Sequence, residues 1–199
     1  ATAEALGHAG ASVIVNFLDD HEAALQVVES IQECGSSAKA VKVDVGLRPD
    51  CEEMMAAGGL WGGVDLLVNN AGIFPRKDFL DLSDEDWNRV QNVNVMGGFR
   101  CLQLMARELI AKNKPGTAVN LASVAFFRNS PKGSHYAASK GAIIGFTRSV
   151  YTELAPYGIR VNAIAPGIVD TAQPRDGMTE EQIATASQLV PLGAMAEPK

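Results

Sequence analysis

The alternation of strand and helix is clearest around one stretch, Val64-Asp-Leu-Leu-Val-Asn-Asn-Ala-Gly72. Its first part is short and mostly apolar, and small polar residues follow, which indicates a buried strand that ends in a turn. A second strand of this kind, residues 118–121, is followed by a loop that carries Ser123. Ligands of open parallel sheets bind at the carboxyl ends of the strands. Both strand exits are therefore candidate parts of one site.

Strand and helix patterns alternate through the rest of the chain. The predicted strands are residues 12–17, 38–45, 64–68, 117–121 and 159–163, and the predicted helices are residues 1–9, 20–34, 49–57, 84–112 and 136–155. Thr179 and Gln182 form a capping-box pattern, which predicts a last short helix. Apolar strands that alternate with helices indicate an α/β fold, a Rossmann-type doubly wound parallel sheet in three layers. We expect residues 1–199 to form one domain.

Composition excludes several classes of partner. The chain has 199 residues, 47% of them apolar, with a net charge of -6. The acidic balance argues against nucleic acid or an anionic membrane as a partner. No apolar run approaches the ~20 residues of a membrane span. Cys34, Cys51 and Cys101 lack the paired spacing of metal ligands, so we predict reduced thiols, no metal site and a cytoplasmic location.

The segment Ser134-His-Tyr-Ala-Ala-Ser-Lys140 carries a candidate acid/base pair. On a helix, residues four apart lie on one face, so Tyr136 and Lys140 should be neighbours. The ammonium favours phenolate and should lower the tyrosine pKa. Lowering the tyrosine pKa from about 10 to neutral pH takes about three pKa units, or roughly 4 kcal/mol. A tyrosine with such a pKa is suited to moving a proton on or off an alcohol oxygen. The spacing also arises by chance on exposed helices.

Together these motifs resemble the short-chain dehydrogenase/reductase family. The matching pieces are Asn69-Asn70-Ala71-Gly72, Asn94 within Asn92-Val93-Asn94-Val95, Ser123, Tyr136-x-x-Ser139-Lys140, Arg160-Val161-Asn162, Pro166-Gly167 and Thr171. They follow the order of the family, and the resemblance runs through nearly the whole chain. It implies an oxidoreductase that uses NAD or NADP to interconvert a secondary alcohol and a ketone by hydride transfer.

The resemblance implies a role for each catalytic residue. Tyr136 would donate or accept the proton, and Lys140 would lower its pKa and hydrogen-bond the nicotinamide ribose. Ser123 would hold the substrate oxygen. Asn94 would complete a proton relay to Lys140 through a water. The alternative for Asn94 is a polar residue inside a helix that bonds back to its own backbone.

The resemblance also implies a cofactor site at the strand exits. Its residues are Asp44, Val45, Asn70, Ala71, Gly72, Tyr136, Lys140, Pro166, Gly167, Ile168 and Thr171. Asp44 matches an acid that contacts adenine, but a turn or cap residue explains it nearly as well. Thr171 is otherwise a simple loop hydroxyl. Phe17 stands where an acid would select NAD and no arginine follows, so the choice between NAD and NADP stays open.

The glycine-rich turn of dinucleotide folds is missing from the sequence, because no G-x-G-x-x-G occurs within residues 1–199. Residues 1–9 read as the helix that should follow such a turn. We therefore expect a first strand and the glycine turn before Ala1, and a further helix and strand after Lys199. The 199-residue chain is expected to lack part of its cofactor site.

The resemblance implies a class of substrate and a type of assembly, but no particular substrate. Sugar dehydrogenases and 3-oxoacyl-carrier reductases are the nearest subclasses, and a homotetramer with helices 84–112 and 136–155 at an interface is expected. The rivals are a non-catalytic nucleotide-binding or scaffold protein, an inactive fragment, and a nucleotide-dependent transferase. Phe74, Phe126 and Phe127 either line a substrate pocket or belong to the core. His135 is predicted to point away from the catalytic face, in a supporting or solvent position.

Overall fold

The computed structural model of the chain describes residues 1–175 and 178–198, in which helices alternate with parallel strands. The strands are β1 (Val13–Phe17), β2 (Ala38–Lys42), β3 (Leu66–Asn69), β4 (Gly116–Leu121) and β5 (Ile159–Ile164). The helices are α1 (Thr2–His8), α2 (His21–Glu33), α3 (Arg48–Ala57), α4 (Asp84–Gln91), α5 (Gly97–Ala111), α6 (Ser134–Leu154), α7 (Ala172–Arg175) and α8 (Glu180–Gln188). The predicted α/β class and the order of its elements are confirmed.

The strands form two parallel ladders. β1 pairs with β2 in the register Val13 to Ala38, and β4 lies between β3 and β5. No ladder joins β1 to β3 among the residues described. Because parallel strands end at the same edge of a sheet, the loops that follow β3, β4 and β5 lie side by side. This arrangement brings the candidate site residues together from distant parts of the sequence.

The core lies mainly between the strands and helices α3 and α5. α5 buries residues three or four positions apart, as its apolar stripe predicts. These residues are Cys101, Leu102, Met105, Ala106 and Leu109. Burying a side chain such as Leu or Met contributes about 1.5–3 kcal/mol each. The scaffold under the strand exits is thus held by ordinary apolar packing.

The second strand is shorter than the predicted span of residues 38–45. It ends at Lys42, because its partner β1 ends at Phe17 and only one more backbone hydrogen bond, Val43 N to Phe17 O at 2.9 Å, extends the ladder. Val43 and Val45 are nevertheless buried. Their apolar pattern therefore packs a loop against the core and does not mark a paired strand.

The predicted long helix 84–112 is interrupted. α4 and α5 are joined by a π-helical turn, Asn92–Met96. Such a turn adds one residue and changes which side chains face inward, and it is frequent at functional sites. Here the buried polar side chain within the turn is Asn94. The periodicity of the sequence did not predict this turn, because the apolar pattern is helical both before and after it.

The last helix begins at the capping box that the sequence predicted. Thr179 Oγ1 accepts a hydrogen bond from Gln182 N at 3.2 Å, and Gln182 Oε1 accepts one from Thr179 N at 2.9 Å. The predicted last helix is therefore confirmed as α8. α7 was not predicted. Within residues 1–175 and 178–198, no helix has the length and apolar character needed to cross a bilayer.

Candidate active site

Tyr136 and Lys140 lie one turn apart on α6 and are both buried. The Nζ of Lys140 is 5.6 Å from the centroid of the Tyr136 ring. The same ammonium donates a hydrogen bond to the backbone carbonyl of Leu121, at 2.6 Å. Since Leu121 ends β4, the lysine ties this face of α6 to a strand exit. The two side chains are neighbours on one face of α6, as their spacing predicted.

The predicted direction of the tyrosine pKa is wrong for this structure. Burial raises the pKa of Tyr136, and hydrogen bonding by Ser123 and Gln173 and the charge of Arg76 only partly oppose it. Burial likewise lowers the pKa of Lys140 to about 8. The physical reason is that both groups have lost water, and desolvation disfavours the phenolate and the ammonium alike.

Ser123 caps the short turn that follows β4. Its Oγ accepts a hydrogen bond from Ala125 N at 3.1 Å. A hydroxyl that accepts one bond can still donate another. Ser123 is near enough to Tyr136 for hydrogen bonding to lower the pKa of the phenol. The structure therefore brings together the serine and the tyrosine that were predicted to share a substrate oxygen.

Asn94 links the loop after β3 to helix α6 through side-chain hydrogen bonds. Its Oδ1 accepts from Ile73 N at 2.8 Å, and its Nδ2 donates to Ile73 O at 3.0 Å and to Ser139 Oγ at 3.0 Å. Ser139 Oγ in turn donates to the backbone carbonyl of Tyr136 at 2.7 Å. The alternative in which Asn94 bonds to its own helix is wrong, because its partners lie in the loop after β3 and on α6. Its part in a proton relay stays a prediction.

Exposed residues follow β3 and β5, where the cofactor site is predicted. Asn70, Ala71 and Gly72 are exposed, and a Cβ added at Gly72 would come within 3.3 Å of Asn94 Oδ1. Gly167 is also exposed, with no atom within 4 Å of an added Cβ. Small residues at these positions leave the backbone open to a ligand that approaches closely.

The remaining segment after β5 is held at both ends. Pro166 O accepts from Val124 N at 3.1 Å, which joins it to the turn that Ser123 caps. Ile168 O accepts from Ala196 N at 3.0 Å. Thr171 is exposed, and its Oγ1 donates to Val169 O at 3.4 Å. Thr171 thus has a loop hydrogen bond, and its contact with a nicotinamide stays a prediction.

Asp44 makes the turn that its alternative interpretation predicted. Its Oδ1 accepts from Gly46 N at 2.7 Å. Val45 is buried, and its carbonyl accepts from Arg100. The contacts of Asp44 and Val45 with adenine stay predictions. At the end of β1, Phe17 stacks on His21, with ring centroids 5.1 Å apart. This aromatic pair occupies the position at which an acid was sought.

Three side chains near Tyr136 were missed or left open by sequence reasoning. Phe74 stacks on Tyr136, with ring centroids 4.1 Å apart and planes at 17°. Arg76 also packs on Phe74, and its Cζ lies 4.4 Å from the centroid of the Phe74 ring. A hydrogen bond with Gln173, which lies on α7, acts to lower the pKa of Tyr136. Only the aromatic at position 74 left a signal, because it directly follows a strand exit.

The other aromatics and the histidine differ in their outcome. Phe126 and Phe127 are exposed and pack edge to face, with centroids 5.0 Å apart. They are not core residues, and lining of a substrate pocket stays a prediction for them. His135 is fully buried, so the expected solvent position is wrong. Burial lowers the pKa of His135, and the charge of Asp86 opposes this shift.

A buried amide network supports the strand exits. Asn69 Nδ2 donates to Asn120 Oδ1 at 2.8 Å, and Asn120 Nδ2 donates to Thr147 Oγ1 at 2.9 Å. Asn69 Nδ2 also donates to the backbone carbonyl of Gly98 at 3.1 Å. The network therefore fixes β3 and β4 against α5 and α6. Its signal in the sequence was Asn120, an amide that stands between apolar residues of the strand.

The parallel α/β sheet brings a phenol, an ammonium and a hydroxyl near one another at the exit of β4, an arrangement that fits an oxidoreductase. The comparisons agree. A family model described as short chain dehydrogenase matches residues 1–182. The chain is 35% identical over 202 residues to 3beta-hydroxysteroid dehydrogenase 1 of Eggerthella lenta, covering 100% of this chain and 77% of that protein.

Two further relatives give the same result. The chain is 35% identical over 200 residues to a 3-oxoacyl-[acyl-carrier-protein] reductase of Synechocystis, covering 100% of this chain and 79% of the relative. A crystal structure of a short-chain type dehydrogenase/reductase from Mycobacterium marinum superposes with a TM-score of 0.91 at 34% identity, covering 98% of this chain and 77% of that one. The chain belongs to the short-chain dehydrogenase family, and it is an oxidoreductase that acts on CH–OH groups.

Proposed function

We propose that the protein interconverts a secondary alcohol and a ketone with NAD or NADP at a site made of Asn94, Ser123, Tyr136 and Lys140. The observation that carries this proposal is the cluster at the exit of β4. There the Lys140 ammonium lies 5.6 Å from the Tyr136 ring and is anchored to the carbonyl of Leu121. Ser123 completes the cluster from the turn that follows the same strand.

Each residue of the cluster has a distinct task. Tyr136 gives its proton to the ketone oxygen in reduction, and it takes a proton from the alcohol in oxidation. Its raised pKa favours the protonated form, which suits the first of these tasks. Ser123 donates a hydrogen bond to the same substrate oxygen and so orients it. Asn94 positions the loop after β3, and its place in a proton relay is part of the proposal.

The exposed strand exits fit a dinucleotide. Asn70–Gly72 and Pro166–Ile168 would hold its nicotinamide half, together with Tyr136, Lys140 and Thr171. Asp44 and Val45 would hold its adenine end. When bound, NAD or NADP supplies the hydride acceptor or donor. Since neither an acid nor an arginine stands at Phe17, both cofactors belong in the assay.

The substrate is a small alcohol or ketone. Relatives are named for hydroxysteroid and 3-oxoacyl substrates, and sugars were indicated by the sequence resemblance. We also propose a cytoplasmic homotetramer in which α4, α5 and α6 contribute to an interface. Exposed aromatic side chains on these helices, Trp87 and Tyr151, are compatible with burial between subunits.

A tyrosine substitution tests the proposal. Changing Tyr136→Phe removes the proton carrier and keeps the ring, so turnover in the full-length protein should fall by roughly 10²-fold or more. The assay follows nicotinamide absorbance with a panel of sugars, secondary alcohols and 3-oxoacyl thioesters, each with both cofactors. Cofactor binding by the variant should persist.

The matched control is Tyr157→Phe, an exposed tyrosine in the turn that follows the same helix. It should keep full turnover. Equal rates for Tyr136→Phe and the unchanged protein would remove the tyrosine from the mechanism. Absence of turnover with every substrate, despite cofactor binding, would instead favour the rival function of a nucleotide-binding scaffold.

A further inference from the structure

The loop after β3 packs against the start of α6. We call residues 73–78 and 130–136 the β3–α6 junction. Within it, Lys77 N donates to Lys132 O at 2.9 Å. A Cβ added at Gly133 would lie 2.6 Å from the Phe74 ring, so that ring is in tight contact with the segment before α6. The junction is therefore continuous with the wall of the active site.

Two of the three cations in this junction are neutralised. Lys77 Nζ lies 2.5 Å from Asp86 Oδ2, and Lys132 Nζ lies 3.0 Å from Asp78 Oδ2. Arg76 is the third cation, and no carboxylate among residues 1–175 and 178–198 pairs with it. Its Nε is buried and has no hydrogen-bond partner in the described part of the chain. An uncompensated guanidinium therefore remains beside the site.

The position of Arg76 relative to the phenol follows from two ring contacts. Its Cζ is 4.4 Å from the Phe74 centroid, and the Phe74 centroid is 4.1 Å from that of Tyr136. The guanidinium can be no farther from the Tyr136 ring than the sum of those distances. Its charge also acts to lower the pKa of Tyr136. Arg76 is thus within the reach of a substrate whose oxygen is bound at Tyr136.

Packing on Phe74 explains only part of this arrangement. Stacking on an aromatic ring uses the face of a guanidinium. The N–H donors lie in the plane of the group, and a buried donor without an acceptor is costly. Carboxylate and phosphate oxygens match these planar donors and compensate the charge. Arg76 as a whole is partly exposed, so an anionic ligand that reached its guanidinium would compensate the unpaired charge.

We propose that Arg76 is the substrate-selecting residue of this enzyme and binds a carboxylate or phosphate of the substrate, a few bonds from the carbon that reacts at Tyr136. This inference rests on the proposed function. The substrate class is then hydroxy acids, sugar acids or sugar phosphates, in preference to neutral alcohols or sterols. Gln173, which acts on the same phenol from α7, lies beside this substrate position.

Matched substrate pairs test the inference in the full-length protein. The pairs are gluconate with sorbitol, 3-hydroxybutyrate with its methyl ester, and sorbitol 6-phosphate with sorbitol, so that carboxylate and phosphate are distinguished. We expect the unchanged protein to prefer an anionic member. Arg76→Gln should lower kcat/KM for that member at least about 10-fold, mainly through KM, because a charge-assisted hydrogen bond is lost. Turnover of the neutral member should change by less than about threefold.

Two further variants keep the test decisive. Lys132→Gln removes a cation from the same junction, but one that is exposed and paired, and it should leave the preference unchanged. Arg76→Lys keeps the charge but loses the planar donors, so it should give an intermediate loss and serves as the test if Arg76→Gln does not fold.

The outcomes separate this inference from the proposed function. Equal losses on both members of a pair, or no preference in the unchanged protein, would overturn the role of Arg76 while the oxidoreductase stands. Absence of nicotinamide-linked turnover across all substrates would overturn the proposed function and this inference with it.

Discussion

Burial acts against the charge of both members of the Tyr136–Lys140 pair. The phenol and the ammonium are each less than a tenth exposed, and the pKa of Lys140 falls to about 8. The lysine is therefore held in its site at a cost to stability at neutral pH. A buried lysine with a pKa this far from its ordinary value marks a candidate functional group.

This cost makes the stability of the protein depend on pH through Lys140. The unfolded lysine keeps its proton up to about pH 10.4, whereas the folded one loses it near pH 8. Between these values the unfolded state binds more protons, so the contribution of Lys140 to the free energy of unfolding rises with pH. Lys140→Met removes that contribution. Its stability relative to the unchanged protein should be about 3 kcal/mol more favourable at pH 7 than above pH 10.4.

Urea unfolding at pH 7, 8.5, 10 and 11 measures this difference. Lys114→Met, at an exposed lysine, is the control and should show no such dependence. Parallel curves for Lys140→Met and the unchanged protein over this pH range would contradict the assigned pKa of Lys140.

The helix that crosses the site is shaped by its π turn and by the glycine that follows it. A Cβ added at Gly97 would lie 2.8 Å from Val45 Cγ2 and 3.3 Å from the Val45 carbonyl. The close approach sets α5 against the loop after β2, where Asp44 and Val45 form the proposed adenine end of the cofactor site. A side chain at this position would force the two elements apart.

Gly97→Ala should therefore destabilise the protein. The overpacking costs about 1–3 kcal/mol and exceeds the helix-propensity gain of about 0.5–1 kcal/mol. Gly145→Ala is the matched control, because this glycine is also within a helix and an added Cβ would meet no atom within 4 Å. It should stabilise the protein by about 0.5–1 kcal/mol. Equal effects of the two substitutions in urea unfolding would show that Val45 yields to the added methyl group.

The architecture as a whole predicts how the 199-residue chain handles cofactor. No glycine-rich phosphate-binding turn occurs within residues 1–199, while the strand exits proposed for the nicotinamide half are present. Phosphate contacts at a helix N-terminus supply much of dinucleotide affinity in such folds. We expect weak or absent NADH binding by this chain, measured by NADH fluorescence. Submicromolar binding would show that residues 1–199 hold the phosphates by another route.

Much of the fold could be predicted from local pattern. Periodicity predicted β3, β4 and the helix that carries Tyr136, because a buried face repeats with the period of its element. The capping-box pattern predicted the helix that begins after Thr179. The end of β2 and the π turn did not follow. Strand length depends on how far a partner extends, and the turn is held by Asn94, whose partners are Ile73 and Ser139.

The site divides along the same line. That Tyr136 and Lys140 share a face could be read from the sequence, since helical geometry places residues four apart together. The raised pKa of the phenol could not, because desolvation depends on everything packed around it. Arg76 and Phe74 are about 60 positions away from Tyr136, and the path of a loop has no periodicity to reveal where it goes. Their meeting at the strand exits, where no carboxylate of the described residues pairs with Arg76, is a property of the folded chain alone.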